Sequence, residues 1–332
     1  MVDNQRPGIY SRIEISGYNP GAGAGAALLL PTREQESPAT VRAESYHDST
    51  LLLAGNNLAL GCLRLLFEGG AGSVTVITAP DIAGAINRLG ALAQGEIRAV
   101  VSGFNHPGEL TALRDFIGER ELIGFAGIGS TQAAITAAIS LSSGRMVLCA
   151  PALSLETGGP HPLYGPCALA GAVLGARSPI HNFSGEIFPL LREVNPLPED
   201  DVQALLRAGV SVFEKAGEGV ELIRAVTTDA HREGSGGAMR SLNTVLIIDD
   251  VMSAIRGSLR QKLRGPGRAS IEGIRDQVAV ELSAKKDAGI LASFTPPRCR
   301  ADKTDPTICI VEISFGVAHL LDQIHLTAHI RV

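Results

Sequence analysis

The sequence predicts an α/β fold with a mainly parallel sheet in its middle and a period-two strand at each end. Three observations carry that prediction. Between Ser73 and Ala150, short β-branched and apolar runs alternate with segments of helical spacing, as successive βαβ units require. From Asp322 to Val332, Ile324, Leu326, Ala328, Ile330 and Val332 fall on one side of an extended chain, and Gln323, His325, Thr327, His329 and Arg331 on the other. Near the start, Ile9, Ile13 and Ile15 alternate with Tyr10, Arg12 and Glu14, so Pro7–Ser16 reads as a second terminal strand. Chain ends fray unless something ties them down, so both strands need partners in this molecule or in a neighbouring copy.

The elements follow in order. Gly17–Ala26 is broken by Pro20 and Gly21 and otherwise alternates small residues, which makes a pliant connector. Ala27–Leu30 starts a short strand closed by Pro31, Arg33–Arg42 is polar, and Ser49–Phe67 carries Leu52, Leu53, Leu60, Leu63 and Leu66 at helical spacing. Strands are then expected at Val74–Thr78, Ile97–Ser102, Gly124–Gly127 and Arg145–Ala150. Helices at Asp81–Leu92, Glu109–Leu122 and Ser130–Ser142 separate them, with Asp81 and Ser130 placed to cap. Such buried apolar strands joined by helices form a parallel sheet covered on both faces. Gly165–Gly175, small and apolar, suits a tightly packed helix.

Pro179, Pro189, Pro196 and Pro198 mark a boundary or crossing segment between Arg177 and Asp201. Asp200–Leu206 then starts a helix, and Val210–Phe213 and Glu221–Thr227 are strand-like. Thr244–Leu263 predicts a strong amphipathic helix whose apolar stripe is Ile248, Met252, Ile255, Leu259 and Leu263, with Arg256, Arg260 and Arg264 four apart beside it. Ile271–Lys285 predicts another helix and Ile308–Phe315 an apolar strand.

The totals exclude several classes. A chain of 332 residues with 45% hydrophobic and 19% charged residues folds around a substantial core, with room for two domains. A net charge of −5 argues against general affinity for nucleic acid, and no apolar run approaches a membrane span. The first residues lack the apolar stretch of a secretory leader, so synthesis and folding in a cytoplasm are expected. Five scattered cysteines without metal-ligand spacing read as packed thiols, not as zinc ligands or disulfides.

Candidate chemistry is weak. Gly21-Ala-Gly-Ala-Gly-Ala26 fits a dinucleotide fingerprint, but Pro31 cuts short any helix that would present its amino end to pyrophosphate. Gly124-Phe-Ala-Gly-Ile-Gly-Ser130 sits at a strand-to-helix turn but lacks a phosphate-loop Lys. His161 and His181 flank Cys167, yet His161 lies between Pro160 and Pro162 and no nucleophile signature surrounds the thiol. Asp249 and Asp250 are adjacent, and neighbours on a helix diverge by about 100°, so they do not converge as a catalytic pair; a charged interface or a helix dipole suits them better. His325 and His329 share a strand face without carboxylate ligands, which points to an interfacial face, not to a metal.

Gly219-Val-Glu-Leu-Ile-Arg-Ala-Val-Thr-Thr228 resembles a segment near the start of the carboxyl-terminal region of contractile phage tail sheath proteins. The order that follows is similar to that family: Val245–Arg256, the Gly265-Pro-Gly267 break, Ser270–Val278, Ala292-Ser-Phe294, the Asp305-Pro-Thr307 turn, and Val317–Ile324 leading to the last strand. Arg6-Pro-Gly-Ile-Tyr-Ser-Arg-Ile-Glu14 is similar to the family's opening. The resemblance implies an amino-terminal arm and linker at 1–26, a central α/β domain at 27–200, a sheath core α+β domain at 201–320 and a strand arm at 321–332.

It further implies a structural, non-enzymatic subunit without a cofactor, stacked in six-membered rings around an inner tail tube and meeting baseplate and tail terminator proteins. Contraction of that lattice drives the tube through a target envelope. The particle, a virion tail or phage tail-like device, is assembled in the host bacterial cytoplasm with no direct nucleic-acid contact. The inter-subunit arms are then Ile9, Tyr10, Ile13, Ile15, Ile324, Leu326, Ala328, Ile330 and Val332. Arg256, Arg260 and Arg264, with Glu272, Lys285 and Lys286, are the candidate tube contact, because wet charged contacts release during sliding more readily than an apolar seal. Two readings compete: a cytoplasmic α/β enzyme binding a nucleotide or acyl substrate in the central domain, and a binding module that oligomerises through its ends without contracting.

Overall fold

The computed structural model describes residues 24–32, 36–53, 55–92, 95–120, 122–156, 158–193, 195–230, 239–264, 270–304 and 309–318. In chain order the elements are β1 (Gly25–Pro31), β2 (Thr40–Ala43), α1 (Tyr46–Leu52), α2 (Asn57–Gly69), β3 (Ser73–Ala79), α3 (Ile82–Gly90), β4 (Ile97–Ser102), α4 (Pro107–Arg120), β5 (Ile123–Gly127), α5 (Thr131–Leu141), β6 (Met146–Ala150) and β7 (Leu153–Leu155). They continue with α6 (Tyr164–Gly175), β8 (Glu186–Phe188), β9 (Leu191–Glu193), α7 (Glu199–Ala208), β10 (Val210–Ala216), β11 (Gly219–Leu222), α8 (Leu242–Arg264), α9 (Ile271–Asp287), β12 (Leu291–Phe294), β13 (Arg298–Ala301), β14 (Cys309–Glu312) and β15 (Phe315–Val317).

A nine-stranded sheet in the order β2-β3-β1-β4-β5-β6-β10-β11-β8 forms the frame. Its six middle strands, β3 to β10, run parallel, and antiparallel β2, β11 and β8 lie at the margins. Ala26, Leu28 and Leu30 of β1 enter the core on one face, and Ala27 and Leu29 the core on the other. That is why the strand is an unbroken apolar run. α2 and α6 cover the first face; α3, α4, α5 and α7 cover the second. Asp81 caps α3, its Oδ1 accepting from the Gly84 amide at 2.7 Å. Ser130 occupies the cap position of α5 without making the expected side-chain bond.

Several expectations change. Ser49–Phe67 is two helices, because the chain turns at Gly55 with φ of 87°, a left-handed value that glycine adopts without a Cβ clash. The large sheet also runs past the boundary expected at residue 200: α7 leads into β10, which pairs with β6, and β11 continues the same sheet. The smaller body therefore starts at α8. Its core joins Ile247, Val251 and Ile255 of α8 to Val278 and Leu282 of α9, with Ile290 and Leu291. The buried stripe of α8 is thus shifted by one residue from the expected one, and Ile248 and Met252 are only half-buried. The two-stranded ladders β12–β15 and β13–β14 complete this body. Both terminal strands, Pro7–Ser16 and Asp322–Val332, lie outside the described residues.

Candidate functional site

Helix α8 joins the two bodies. Leu242, Val245 and Leu246 in its first turns enter the large core, whereas Ile247, Val251 and Ile255 enter the small one. The Asp249-Asp250 pair sits where this changeover occurs. Asp249 takes both guanidinium arms of Arg145, just ahead of β6, at 2.5 and 2.9 Å. Asp250 reaches the other way, accepting from Lys285 Nζ of α9 at 2.7 Å. The divergence of neighbouring helix positions, which argued against a catalytic pair, is what lets these carboxylates hold two different elements. Side-chain exposure is 16% and 12% for Arg145 and Asp249, and 10% and 8% for Lys285 and Asp250, so solvent screens neither pair well.

Beside this clasp runs a groove of about 710 Å³ between α8 and the amino ends of β4 and β5. Arg98, Arg120, Arg256 and Arg260 line it, together with Glu119 and Asp249. The Arg120 guanidinium carbon lies 4.1 Å over the Phe116 ring centroid, and Nη1 is 3.9 Å from Glu119. Arg256 and Arg260 are therefore brought together with two arginines that the sequence reading did not group with them. They come from distant segments, and no local spacing signals them.

The six residues expected at a tube contact separate. Arg256 and Arg260 are exposed and face the groove; Glu272 and Lys286 are exposed on α9. Arg264 ends α8, and its side chain is outside the described residues, as are the terminal arm residues. Lys285 is corrected: it is buried against Asp250 and unavailable to a partner, because an ammonium removed from water needs its carboxylate.

The sheet order β3-β1-β4-β5-β6 places a topological switch point between β1 and β4, where doubly wound sheets hold ligands beyond the carboxyl ends of the strands. The Gly103 amide donates to Leu29 O at 2.7 Å, Phe104 is buried behind it, and an ideal Cβ on Gly103 lies 3.4 Å from Leu163. The turn after β5 is equally crowded, since a Cβ on Gly127 would lie 1.7 Å from Pro162 O. His161 Nδ1 accepts from the Leu163 amide instead of facing Cys167. Burial pushes the thiols of Cys149 and Cys167 up, which opposes thiolate formation. A thiol reagent is accordingly expected to modify half-buried Cys299 and Cys309 in the native protein, and Cys62, Cys149 and Cys167 only after denaturation. Absorbance titration with an aromatic disulfide checks this, and rapid native reaction at all five positions contradicts it. Among the described residues no helix is long and apolar enough to cross a membrane, and no group of three or more His, Cys, Asp or Glu could hold a metal ion.

No protein-family model matches the chain, and neither does any curated protein. Solved structures do. A chain in the cryo-EM structure of the anti-feeding prophage baseplate aligns over 99% of this chain and 100% of its own, with a TM-score of 0.73 at 15% identity. The anti-feeding prophage helical sheath in its contracted state aligns over 98% and 99%, with a TM-score of 0.69 at 16% identity. This chain has the tail-sheath fold. The sheath tail protein of Desulfitobacterium hafniense shares it as well, at 10% identity and a TM-score of 0.65 over 93% of this chain and all of that one. At such identities the fold is shared while nearly every side chain differs. The clasp and the groove are described from this chain's own residues.

Proposed function

We propose that this chain is the structural subunit of a contractile tail sheath, polymerising as stacked six-membered rings around an inner tube and contracting to drive that tube through a target envelope. The observation that carries the reading is the end-to-end correspondence with the contracted helical sheath of the anti-feeding prophage, 98% of this chain against 99% of the other.

The small body supports it too. β12–β15 and β13–β14 are ladders of two strands each, and an isolated pair is marginal in water without a further strand. The alternating segments Pro7–Ser16 and Asp322–Val332 supply such strands, and a neighbour's arm adds backbone hydrogen bonds that persist while the linkers turn. Contraction is then a rigid-body rearrangement of subunits joined by these ladders. Exposed Glu272 and Lys286 on α9 remain the candidates facing the tube. Baseplate and tail terminator proteins meet the two ends of the polymer, and assembly takes place in the host bacterial cytoplasm.

Deleting residues 323–332 tests the reading. The expected product is a folded monomer that forms no striated hollow cylinders by negative-stain microscopy, where the full chain does. Full-length cylinders from the truncated chain would refute the role of the arm.

A further inference from the structure

The groove on α8 has a counterpart of opposite charge on the same chain. Glu199 and Asp200 are exposed in the first turn of α7, and Glu214 on β10 stands directly opposite Glu221 on β11. Glu193 closes the cluster; burial first, then the nearby Glu221, Glu199 and Glu193, push the Glu214 carboxyl up. Like charges set opposite each other across a ladder destabilise it, so the arrangement holds unfavourable energy that an external cation would relieve.

In the groove the balance is reversed. Its lining carries four arginines and two carboxylates, of which Asp249 is held by Arg145 and Glu119 lies 3.9 Å from Arg120. Arg120 stands over the Phe116 ring at 4.1 Å, and a guanidinium is the side chain best suited to binding a carboxylate.

The two features cannot meet within one subunit. Gly95, Ile97 and Leu122 place the groove at the amino ends of β4 and β5. β10 pairs with the carboxyl half of β6, from Leu148 to Ala150, so Glu214 lies beyond the carboxyl ends of the parallel strands. α7 leads back into β10 from that same side, which puts Glu199 there too. Patch and groove thus sit at opposite ends of one sheet. Between copies, a contact of this kind is heterologous: each subunit uses a different surface at each end, and the result is a ring or an open helix, not a closed pair.

We propose that the acidic patch of one copy docks in the arginine groove of the next, giving this chain a head-to-tail contact with itself that is separate from strand exchange. The occupant is a second copy of this chain, and the proposal rests on the reading of the chain as a polymer subunit. The contact is polar and salt-sensitive, since raising ionic strength from about 0.15 to about 1 M shortens the screening length from about 8 to about 3 Å.

The test uses two full-length variants, Arg256→Glu/Arg260→Glu in the groove and Glu199→Lys/Glu214→Lys in the patch. All four positions are exposed, and an unchanged circular dichroism spectrum and monomer mass verify folding. Each variant alone places like charges at the contact, and its critical concentration for polymer, read by sedimentation, is expected to rise more than about tenfold. An equimolar mixture pairs each reversed surface with its complement and is expected to return the critical concentration to near that of the unmodified chain. Polymerisation of either variant alone at the normal concentration overturns the proposal, as does failure of the mixture to recover. If the groove variant forms cylinders normally but fails to enclose a tube, the arginines face the tube and the proposal is wrong. If the unmodified chain forms no polymer, the sheath reading fails and this contact with it.

Discussion

Lys285→Met is expected to lower the free energy of unfolding by about 3–5 kcal/mol, the range typical of removing one partner from a buried ion pair. Asp250 would keep its place at 8% exposure with its cation gone, and a carboxylate so buried has neither water nor a donor to replace the 2.7 Å bond from Nζ. The damage falls on the seam between α8 and α9, because Asp250 and Lys285 sit on these two helices, whose Ile247, Val251 and Val278 share one core. Equilibrium urea unfolding below the assembly concentration measures it, with the transition of the smaller body moving most. The double variant Asp250→Leu/Lys285→Met tests the cause: apolar side chains of similar volume are expected to regain most of the loss, since the pair's attraction is largely offset by its own desolvation. A change under about 1 kcal/mol in the single variant would show that the pair is not a clasp.

Gly175→Ala is expected to be worse tolerated than any substitution of an exposed helix residue, costing about 3 kcal/mol or more, at the top of the range for overpacking. An ideal Cβ there lies 2.0 Å from Gly69 O and 3.0 Å from Gly70 Cα, and both contacts are with backbone. At Gly171 a Cβ would meet Leu65 O and Leu66 O at 2.8 and 2.9 Å, so relief requires α2 and α6 to separate along their whole contact. That separation opens the core containing Leu63, Leu66, Cys167 and Leu169. Gly118→Ala in α4 is the control. Nothing lies within 4 Å of its Cβ, and the exchange is expected to add about 0.4–1 kcal/mol by restricting the unfolded chain. Thermal unfolding of the two variants side by side gives opposite signs if the helix contact is glycine-dependent, and equal small shifts if it is not.

Much of the fold was legible from residue patterns. The strand Ile97–Ser102 has the expected limits, and β3, β5, β6, α3 to α7 and α9 lie within a few residues of theirs, because short apolar runs bounded by turn residues and helical spacing of apolar residues are local signals. The shorter elements were not legible. β7, β8 and β9 have three residues each and β12 and β13 four, too few for any period to stand out. The pairing of β10 with β6 was hidden for a related reason. The proline cluster marks where the chain crosses the sheet, and nothing local reveals that β10 pairs with β6.

The candidate site divides along the same line. Apolar alternation and helix caps are properties of neighbouring residues and indicated an α/β fold with two terminal strands, and the resemblance of segments such as Gly219–Thr228 to tail sheaths implied a polymer subunit. Which charges meet is a property of distance in space. Asp249 and Asp250 diverge by about 100° on α8, but only the packing of β6 on one side and α9 on the other puts Arg145 and Lys285 within reach. The same packing withdrew Lys285 from the surface and brought Arg98 and Arg120 alongside Arg256 and Arg260. Coulomb energy depends on separation and burial, and a linear chain encodes neither until it has folded.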